Sequence, residues 1–334
     1  MKKIFTKLIV IFLTGTFFSA VLVNGVMAVE DPIIMKIGHS QPTTHPRHKA
    51  FLFFKELVEK KSPKIKVEIY PAAQLGTERE QMEMVKLGTL QATRGGAFEA
   101  ASPKLLSLLL PFLFRDLDHV HNVLQSPIGD VLAEVTEENG IKILAWADSG
   151  GMRQITNNAR PINTPRDLRG LKIRTPPIDA IIRCMKAFGA TPVSVPYADL
   201  YMALKTGVAD GQENPFVHIY HKKLWEVQKY LSVVNYQYHP DPFFVSLKWW
   251  KSLPLDVQAV LKDAAVKASA YSDKLHEEEA KVARQDLEKR GMIINRVSEE
   301  NRALFIEKGK EVYDYYINQG ICTKELVDLI QEVK

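Results

Sequence analysis

Residues 255 to 290 read LDVQAVLKDAAVKASAYSDKLHEEEAKVARQDLEKR, a stretch with no internal Pro or Gly. Apolar side chains recur along it at the spacing of one helical face. Pro254 stands at a favoured helix start, and Gly291 follows the end. A helix over these roughly 36 residues would be about 54 Å long, longer than a typical single lobe is wide. Because the apolar stripe is rich in Ala and has no clear heptad, we favour a helix that bridges two lobes over a coiled coil.

Outside this segment, short β-type runs alternate with helical patterns. The predicted strands are Ile33 to Gly38, Ile65 to Tyr70, Ile141 to Ala147, Arg153 to Asn157, Leu171 to Thr175 and Phe243 to Leu247. The predicted helices are Ala50 to Lys60, a helix through Leu87 with a capping box of Thr77 and Glu80, Asp130 to Asn139, Asp179 to Phe188, Ala198 to Lys205, Pro215 to Val227, Glu299 to Gln319 and Glu325 to Val333. Such alternation predicts α/β lobes whose sheets are covered by helices.

The first residues have the pattern of a cleaved secretory signal. Lysines precede an apolar run from Leu8 to Val23, and Val26-Met27-Ala28 supplies the small residues that a signal peptidase needs. The run is shorter than the roughly 20 residues of a spanning helix, so an uncleaved anchor is the less favoured interpretation. We predict a signal peptide over residues 1 to 28 and a periplasmic protein.

Composition excludes some classes of partner. The formal net charge is +5, and three of those charges are signal-segment lysines, which leaves +2. A balance so mild gives no electrostatic case for binding nucleic acid or an anionic membrane. Cys184 and Cys322 are the two cysteines, and either a disulfide or two free buried thiols fits an exported chain.

Two arginines suggest an anion site. Arg153 opens a short polar strand, and Arg174 closes another just before Pro176-Pro177. An arginine at the end of a strand points toward an interlobe crevice, where α/β proteins place ligands. A guanidinium can hold a carboxylate through two parallel hydrogen bonds. The alternative for either arginine is an exposed surface position.

The segment Asp210 to Pro215 is a candidate turn before a helix. Gly211 permits a tight turn, and Pro215 suits the first turn of the helix that follows. Asn214 is therefore predicted to be the N-cap of that helix.

Several short motifs follow one another along the chain. They are Ile69-Tyr70-Pro71 with Gln74-Leu75-Gly76, Arg153 with Thr156-Asn157, Gly170 to Arg174, Gly189-Ala190-Thr191-Pro192, Asp210 to Pro215, Tyr220, and Glu226 to Tyr230. This combination closely resembles the DctP-type solute-binding proteins of tripartite ATP-independent periplasmic (TRAP) transporters. The resemblance covers essentially the whole chain after the signal segment.

The resemblance implies a type II-like periplasmic-binding-protein fold with two α/β lobes, a hinge, and a long helix across both. It places residues 29–151 and about 240–279 in lobe I, and residues 152–239 and about 280–334 in lobe II. Its function would be to capture a small organic carboxylate and deliver it to a membrane permease. We expect a monomer with no cofactor, no nucleotide and no enzymatic activity.

The resemblance also implies a set of ligand-binding residues. Arg174 matches the arginine that makes a bidentate salt bridge to the ligand carboxylate, and Arg153 matches a second, supporting arginine. Asn214 matches an asparagine that donates to the same anion, and Tyr197 matches an aromatic residue that packs on the ligand. The matching first-lobe positions are Glu78, Arg94, Gly96 and the opening-loop residues Ser40, Gln41 and His45.

The first lobe leaves the ligand class open. Arg94 would favour a C4-dicarboxylate if it binds a second acidic group, but its side chain could also point away. Glu78 or Glu99 facing inward would favour hydroxyls, as in a sugar acid such as a uronate. Smaller 2-hydroxy or 2-oxo acids and aromatic acids rank below these two classes.

Three other functions stay as alternatives. Ser149 lies in a weak match to a protease nucleophile motif, but no histidine has the matching surroundings. The pairs His119/His121 and His218/His221 lack a third metal ligand at matched spacing, so no metal site is predicted. A protein that presents its ligand to a sensor would use the same pocket.

Overall fold

The computed structural model describes residues 32 to 334, and the predicted signal segment lies outside the described residues. The strands are β1 (Ile33–Gly38), β2 (Ile65–Tyr70), β3 (Ala92–Thr93), β4 (Ile141–Ala145), β5 (Gln154–Asn157), β6 (Lys172–Thr175), β7 (Thr191–Ser194), β8 (Gly211–Asn214), β9 (Tyr230–Val233), β10 (Phe243–Ser246) and β11 (Ile293–Arg296). The helices are α1 (Pro46–Lys61), α2 (Glu78–Leu87), α3 (Phe98–Ala101), α4 (Leu117–Leu124), α5 (Pro127–Glu134), α6 (Asp179–Ala187), α7 (Leu200–Lys205), α8 (Phe216–His221), α9 (Leu247–Ser252), α10 (Leu255–Lys289), α11 (Glu299–Asn318) and α12 (Lys324–Glu332).

The strands form two mixed sheets, and each sheet with its covering helices makes one lobe. The first sheet has the order β2-β1-β3-β10-β4, and the second has the order β11-β9-β5-β8-β6-β7. In the first sheet β10 runs antiparallel to both of its neighbours. In the second sheet β5 runs antiparallel to β8 and β9. The predicted two-lobed α/β fold is confirmed.

The chain passes between the two sheets three times. It crosses from β4 to β5, returns from β9 to β10, and crosses again along α10 to β11. Several crossings at one boundary are what a hinge between two lobes requires.

The long helix α10 belongs to both lobes. Near its start, Val257, Leu261 and Ala264 pack into the core under the first sheet. Near its end, Leu287 packs into the core of the second sheet. The predicted lobe-bridging helix is therefore confirmed, and Gly291, with φ of +94°, follows its end.

Two predicted helices are shorter in the structure. The stretch from Pro215 to Val227 is broken after α8, because Lys223 takes a left-handed conformation (φ 53°) before a short 3-10 turn at Leu224–Glu226. The stretch from Asp130 to Asn139 instead begins at Pro127, where Ser126 caps α5, and ends at Glu134 before another 3-10 turn. Local hydrogen bonding at Ser126 decided that start.

The prediction that Asn214 is an N-cap is wrong. Asn214 is the last residue of β8, and Pro215 occupies the cap position of α8 without a side-chain bond. The amide of Asn214 is instead engaged with Gln212, Arg153 and His218. These hydrogen bonds fix the orientation of the Asn214 side chain at the end of β8.

Two further points concern the described residues. Cys184 and Cys322 are free and buried, so the two-thiol interpretation holds rather than the disulfide. No helix between residues 32 and 334 combines the length and the apolar character needed to cross a bilayer.

Candidate functional site

Three predicted ligand residues lie at one edge of the second sheet. β5, β8 and β6 are adjacent there. Gln154 of β5 pairs with Asn214 of β8, and Arg174 of β6 pairs with Gln212 of β8. Since β5 runs opposite to the other two strands, Arg153 just before β5 and the ends of β6 and β8 meet at the same edge.

Arg174 is a buried cation without a counter-ion. Its side chain is 1% exposed, and its Nε donates to the carbonyl of Val195 at 2.9 Å. Within residues 32–334 no carboxylate forms an ion pair with it, and its Nη2 has no hydrogen-bond partner. Burial is the main reason that the pKa of Arg174 falls to about 10. An unpaired buried charge is unfavourable, so this position is suited to an incoming anion.

Arg153, by contrast, is already neutralised. Its Nε and Nη2 bind the carboxylate of Glu213, with 2.8 Å between Nη2 and Oε1. Burial opposes the charge of Arg153, but Glu213 outweighs burial and raises the arginine's pKa. Nη2 also donates to Asn214 Oδ1 at 3.1 Å. Arg153 therefore orients Asn214, and Glu213 offsets its charge.

His239 lies beside Arg153 and has a ring N–H without a hydrogen-bond partner among the described residues. Nη1 of Arg153 lies 3.3 Å from His239 Nδ1. Because a guanidinium can only donate, Nδ1 must accept, and the neutral ring carries its proton on Nε2. Burial lowers the pKa of His239 well below its usual range, so the ring stays neutral. Its Nε2 has no partner among the described residues.

Gly96 is required by the position of His239. A Cβ at Gly96 would lie 2.8 Å from His239 Cε1 and 3.3 Å from Ile178 Cδ1. The backbone of the first lobe thus approaches the second lobe's Ile178 and the His239 ring more closely than any side chain allows.

Glu78 is a first-lobe acid that faces the gap between the lobes. Thr77 caps α2 with the predicted capping box, which places Glu78 in the first turn. Its carboxylate accepts from Ser40 Oγ at 2.5 Å and from the Gly96 N–H at 3.0 Å. Arg47 Nη1 lies 3.5 Å away.

Arg94 faces the long helix. Its Nη2 binds Asp241 Oδ2 at 2.8 Å and donates to Ser272 Oγ of α10 at 3.3 Å. Arg47 binds the same Asp241 oxygen at 2.8 Å. The sequence left open whether Arg94 binds a second acidic group of the ligand or points away. In the structure its guanidinium is directed to the Asp241 carboxylate and to α10.

Hydrogen bonds join the two lobes across the gap. Tyr197 donates its hydroxyl proton to Gln41 Oε1 at 3.0 Å. The N–H of Asp179 donates to Glu99 Oε1 at 2.6 Å. The lobes are therefore in contact, as in a closed form.

A cavity of about 530 Å³ lies between the lobes beside this site. Its first-lobe wall includes Glu78, Gly96 and Phe98, and its second-lobe wall includes Pro177 and Tyr197. Arg174 is not among the residues that line this cavity.

The described residues give the alternative sites little support. No three His, Cys, Asp or Glu side chains between residues 32 and 334 are placed to hold one metal ion. Both nitrogens of His221 are engaged, with Thr44 and Glu279. Ser149 is buried, and no hydrogen bond in this part of the chain links it to a histidine.

Sequence reasoning missed four residues of this site, namely Glu213, His239, Arg47 and Asp241. Glu213 lies within the quoted segment Asp210 to Pro215, but every residue of β8 is buried, so no alternation along the strand marks it. The other three come from distant segments and carry no local pattern.

The chain is similar to known proteins over most of its length. Residues 37–319 match the family model described as bacterial extracellular solute-binding protein, family 7. The chain is 30% identical to the 2,3-diketo-L-gulonate-binding periplasmic protein of Escherichia coli, covering 90% of this chain and 92% of that protein. It is 32% identical to the C4-dicarboxylate-binding periplasmic protein DctP of Rhodobacter capsulatus, covering 88% and 89%.

Solved structures agree with these matches. A TRAP periplasmic solute-binding protein from a Polaromonas species, bound to D-erythronate, superposes with a TM-score of 0.85 at 31% identity, covering 90% of this chain and 99% of that one. Another, from Shewanella oneidensis with bound succinate, gives 0.86 at 28% identity, covering 90% and 99%.

Proposed function

Because this chain belongs to the bacterial extracellular solute-binding proteins of family 7, we propose that it captures a small organic carboxylate between its lobes and delivers it to a TRAP membrane permease. The observation that carries the proposal is the buried guanidinium of Arg174, which has no counter-ion in the described chain. A ligand carboxylate would supply one. The predicted signal segment and the family together support a periplasmic location.

In this proposal the second lobe binds the carboxylate. Arg174 makes the ion pair, and the amide of Asn214 is held beside it by Arg153. Tyr197 packs on the ligand and, through Gln41, links it to the first lobe.

The first lobe would bind the rest of the ligand. Its proposed contacts are Glu78, Gly96, Ser40 and Gln41, with Arg94 supporting the wall from behind. The division into residues 29–151 plus about 240–279 and residues 152–239 plus about 280–334 stays part of the proposal, as does a monomeric state.

The polar groups of the first lobe favour a hydroxylated acid over a dicarboxylate. A second ligand carboxylate needs a free cation, but the guanidinium of Arg94 is bound to Asp241 and Ser272. Glu78 and the Gln41 carbonyl oxygen are acceptors, and acceptors suit ligand hydroxyls. We therefore place sugar acids first and C4-dicarboxylates second.

Ligand binding would also drive closure. An open form leaves Arg174 hydrated, and a closed, empty form leaves it buried without a partner. A carboxylate offsets that desolvation only in the closed form, so the ligand shifts the hinge equilibrium toward closure. The closed surface is then the form that the permease recognises.

A thermal-shift panel of organic acids tests the proposal. Purified chain without the signal segment is heated with D-galactonate, D-glucuronate, D-erythronate, succinate and malate, each with sodium chloride as the control for ionic strength. A ligand present at about 100 times its Kd stabilises the fold by about 2.7 kcal/mol. We expect at least one sugar acid to raise the Tm clearly, and its binding to be stoichiometric by calorimetry. A panel with no stabilising carboxylate would contradict the proposal.

A further inference from the structure

Four histidine rings meet where the two lobes and the long helix come together. The ring of His45 is central, with centroid distances of 5.1 Å to His218, 5.0 Å to His221 and 5.3 Å to His276. His45 caps α1 in the first lobe, His218 and His221 lie on α8 in the second, and His276 lies on α10. These four residues are called the histidine cluster below.

His218 connects the cluster to the carboxylate site. Its Nδ1 lies 3.2 Å from Asn214 Oδ1. That oxygen already accepts from Arg153, so it is the carbonyl oxygen, and His218 Nδ1 must be the donor. A neutral His218 therefore helps to hold Asn214, and its Nε2 carries only a lone pair. The same ring packs edge-on to Tyr197 at 5.6 Å.

The interior of the cluster offers nothing to stabilise an added proton. The Nε2 atoms of His45, His218 and His276 are buried and have no partner among the described residues. Several charged and titratable groups face the cluster. They are Arg47 on α1, Arg94 after β3, Arg153 before β5, Tyr197 before α7, Tyr220 on α8, His239 before β10, and Glu279 on α10 with its partner Lys49.

The arginines of that set already have carboxylate partners, since Arg153 is paired with Glu213 and both Arg47 and Arg94 bind Asp241. Glu279 is the acid of the set, and both of its oxygens are occupied, one by His221 at 2.5 Å and one by Lys49 at 2.7 Å. Burial first, and then the neighbouring positive groups, lower the pKa values of His45, His218 and His276 well below the usual range. With the lobes closed, these three rings are held neutral.

We propose that the histidine cluster is a pH-dependent closure latch and that His218 is a positioning residue for Asn214. The inference rests on the proposed function. Opening separates the rings of the two lobes and lets water reach them, so protons bind the open form and not the closed one. Acidification therefore favours the open form, and ligand affinity is lost as the pH falls.

The direction and size follow from linkage. A hydrated histidine titrates near pH 6.5, whereas in the closed form His45, His218 and His276 bind no proton. Ligand affinity is therefore highest above pH 6.5 and decreases below it. Between pH 7.5 and pH 5.5, each ring that is exposed on opening weakens ligand binding about tenfold. A sugar acid keeps its carboxylate ionised over this range, so its own titration does not contribute.

The experiment compares ligand affinity at pH 7.5 and 5.5 in wild type and His276→Gln, with D-galactonate and D-glucuronate as probes. His276 is outside the proposed carboxylate site, so His276→Gln should bind within about threefold of wild type at pH 7.5. Its loss of affinity on acidification should be about tenfold smaller. His45→Asn, which keeps a capping acceptor for α1, is the second variant. Its affinity at pH 7.5 serves as its own reference, and its loss of affinity on acidification should also be about tenfold smaller than that of wild type. His119→Gln, at a buried histidine near the last helix, is the control and should keep the wild-type pH profile.

Imidazole NMR gives an independent readout. With ligand bound, the imidazoles of His45, His218 and His276 should stay neutral down to pH 5.5, and without ligand they should titrate. An equal pH profile in wild type, His276→Gln and His45→Asn would overturn the latch, and so would imidazoles that titrate normally in the bound form. A protein that binds neither probe nor any other acid at pH 7.5 would instead contradict the proposed function.

Discussion

The guanidinium of Arg153 and the carboxylate of Glu213 form a buried ion pair at the edge of the second sheet, with side chains 3% and 0% exposed. Tyr236 donates a further hydrogen bond to Glu213 at 2.6 Å. The pair adds no net charge to this part of the sheet, whereas the nearby guanidinium of Arg174 is a buried positive charge. The two arginines that look alike in the sequence therefore differ in the structure, because Arg153 is paired with Glu213 and Arg174 forms no ion pair within the described residues.

Glu213→Gln should destabilise the protein. The substitution keeps the shape of the side chain but removes the charge that compensates Arg153. Breaking one side of a buried ion pair costs roughly 3 kcal/mol. Urea unfolding at pH 7.5 measures this change. Glu278→Gln, at an exposed pair with Lys274 on α10, is the matched control and should change stability by less than about 1 kcal/mol. Equal stabilities of the two variants would mean that Arg153 does not depend on Glu213.

Arg174→Met should separate stability from binding. Met nearly fills the same volume without a charge, so the ligand-free protein no longer buries an unpaired cation and should be as stable as wild type or more so. Carboxylate affinity should fall by about 2 to 5 kcal/mol. Calorimetry and urea unfolding on the same samples measure both.

Arg169→Met is the control for Arg174→Met. It makes the same chemical change at an exposed arginine three residues before β6 begins and should leave both quantities near the wild-type values. An Arg174→Met protein that is well folded and binds its acid with full affinity would contradict the role of Arg174 as the anion partner.

The sequence was most informative where a pattern is local and long. The α10 prediction differs from the structure by one residue at its end, because an apolar stripe without Pro or Gly leaves few alternatives over that length. Short elements were harder. β3 has two residues and α3 has four. At such lengths contacts with distant segments decide the structure, as the pairing of β3 with β1 and β10 shows.

The site shows the same limit. Arg153, Arg174 and Asn214 could be proposed because Arg153 begins a recognisable segment, Arg174 and Asn214 lie near the end of one, and all three match motifs of the resembling family. The partner of Arg153 is 60 residues away, and the partner of Arg94 comes from a third segment at Asp241. Which charges are neutralised is a property of tertiary packing, so a sequence that names two arginines cannot say that one of them is already paired.

Gly96→Ala should weaken ligand binding through His239. The added Cβ would stand 2.8 Å from His239 Cε1, so the ring must shift, and its contacts with Arg153 and Phe98 shift with it. Overpacking of this kind costs about 1 to 3 kcal/mol of stability. The double variant Gly96→Ala/His239→Ala should recover most of that stability but not the binding. A Gly96→Ala protein that matches wild type in both measurements would show that the backbone yields more easily than this geometry indicates.

Asp273 should make the protein less stable as the pH rises, whereas an acid in an ion pair makes a protein less stable as the pH falls. Partial burial, with the nearby Asp148 carboxylate as a further cause, raises the pKa of Asp273 to about 6. Its unfolded value is near 3.9, so the folded form binds the extra proton, and its contribution to stability is lost as the pH rises from about 4 to 6. Asp273→Asn keeps an oxygen for the Asp148 N–H and removes that loss. Relative to wild type, the variant should gain roughly 2 kcal/mol between pH 4.5 and pH 7.5 in urea unfolding.

Asp263, on the same helix, is the control. Hydrogen bonds from Lys267 and Lys61 lower its pKa. The contribution of Asp263 is lost only below about pH 4, so Asp263→Asn should keep the wild-type pH dependence between pH 4.5 and pH 7.5. An Asp273→Asn protein that also keeps the wild-type pH dependence over this range would rule out burial as the cause at Asp273.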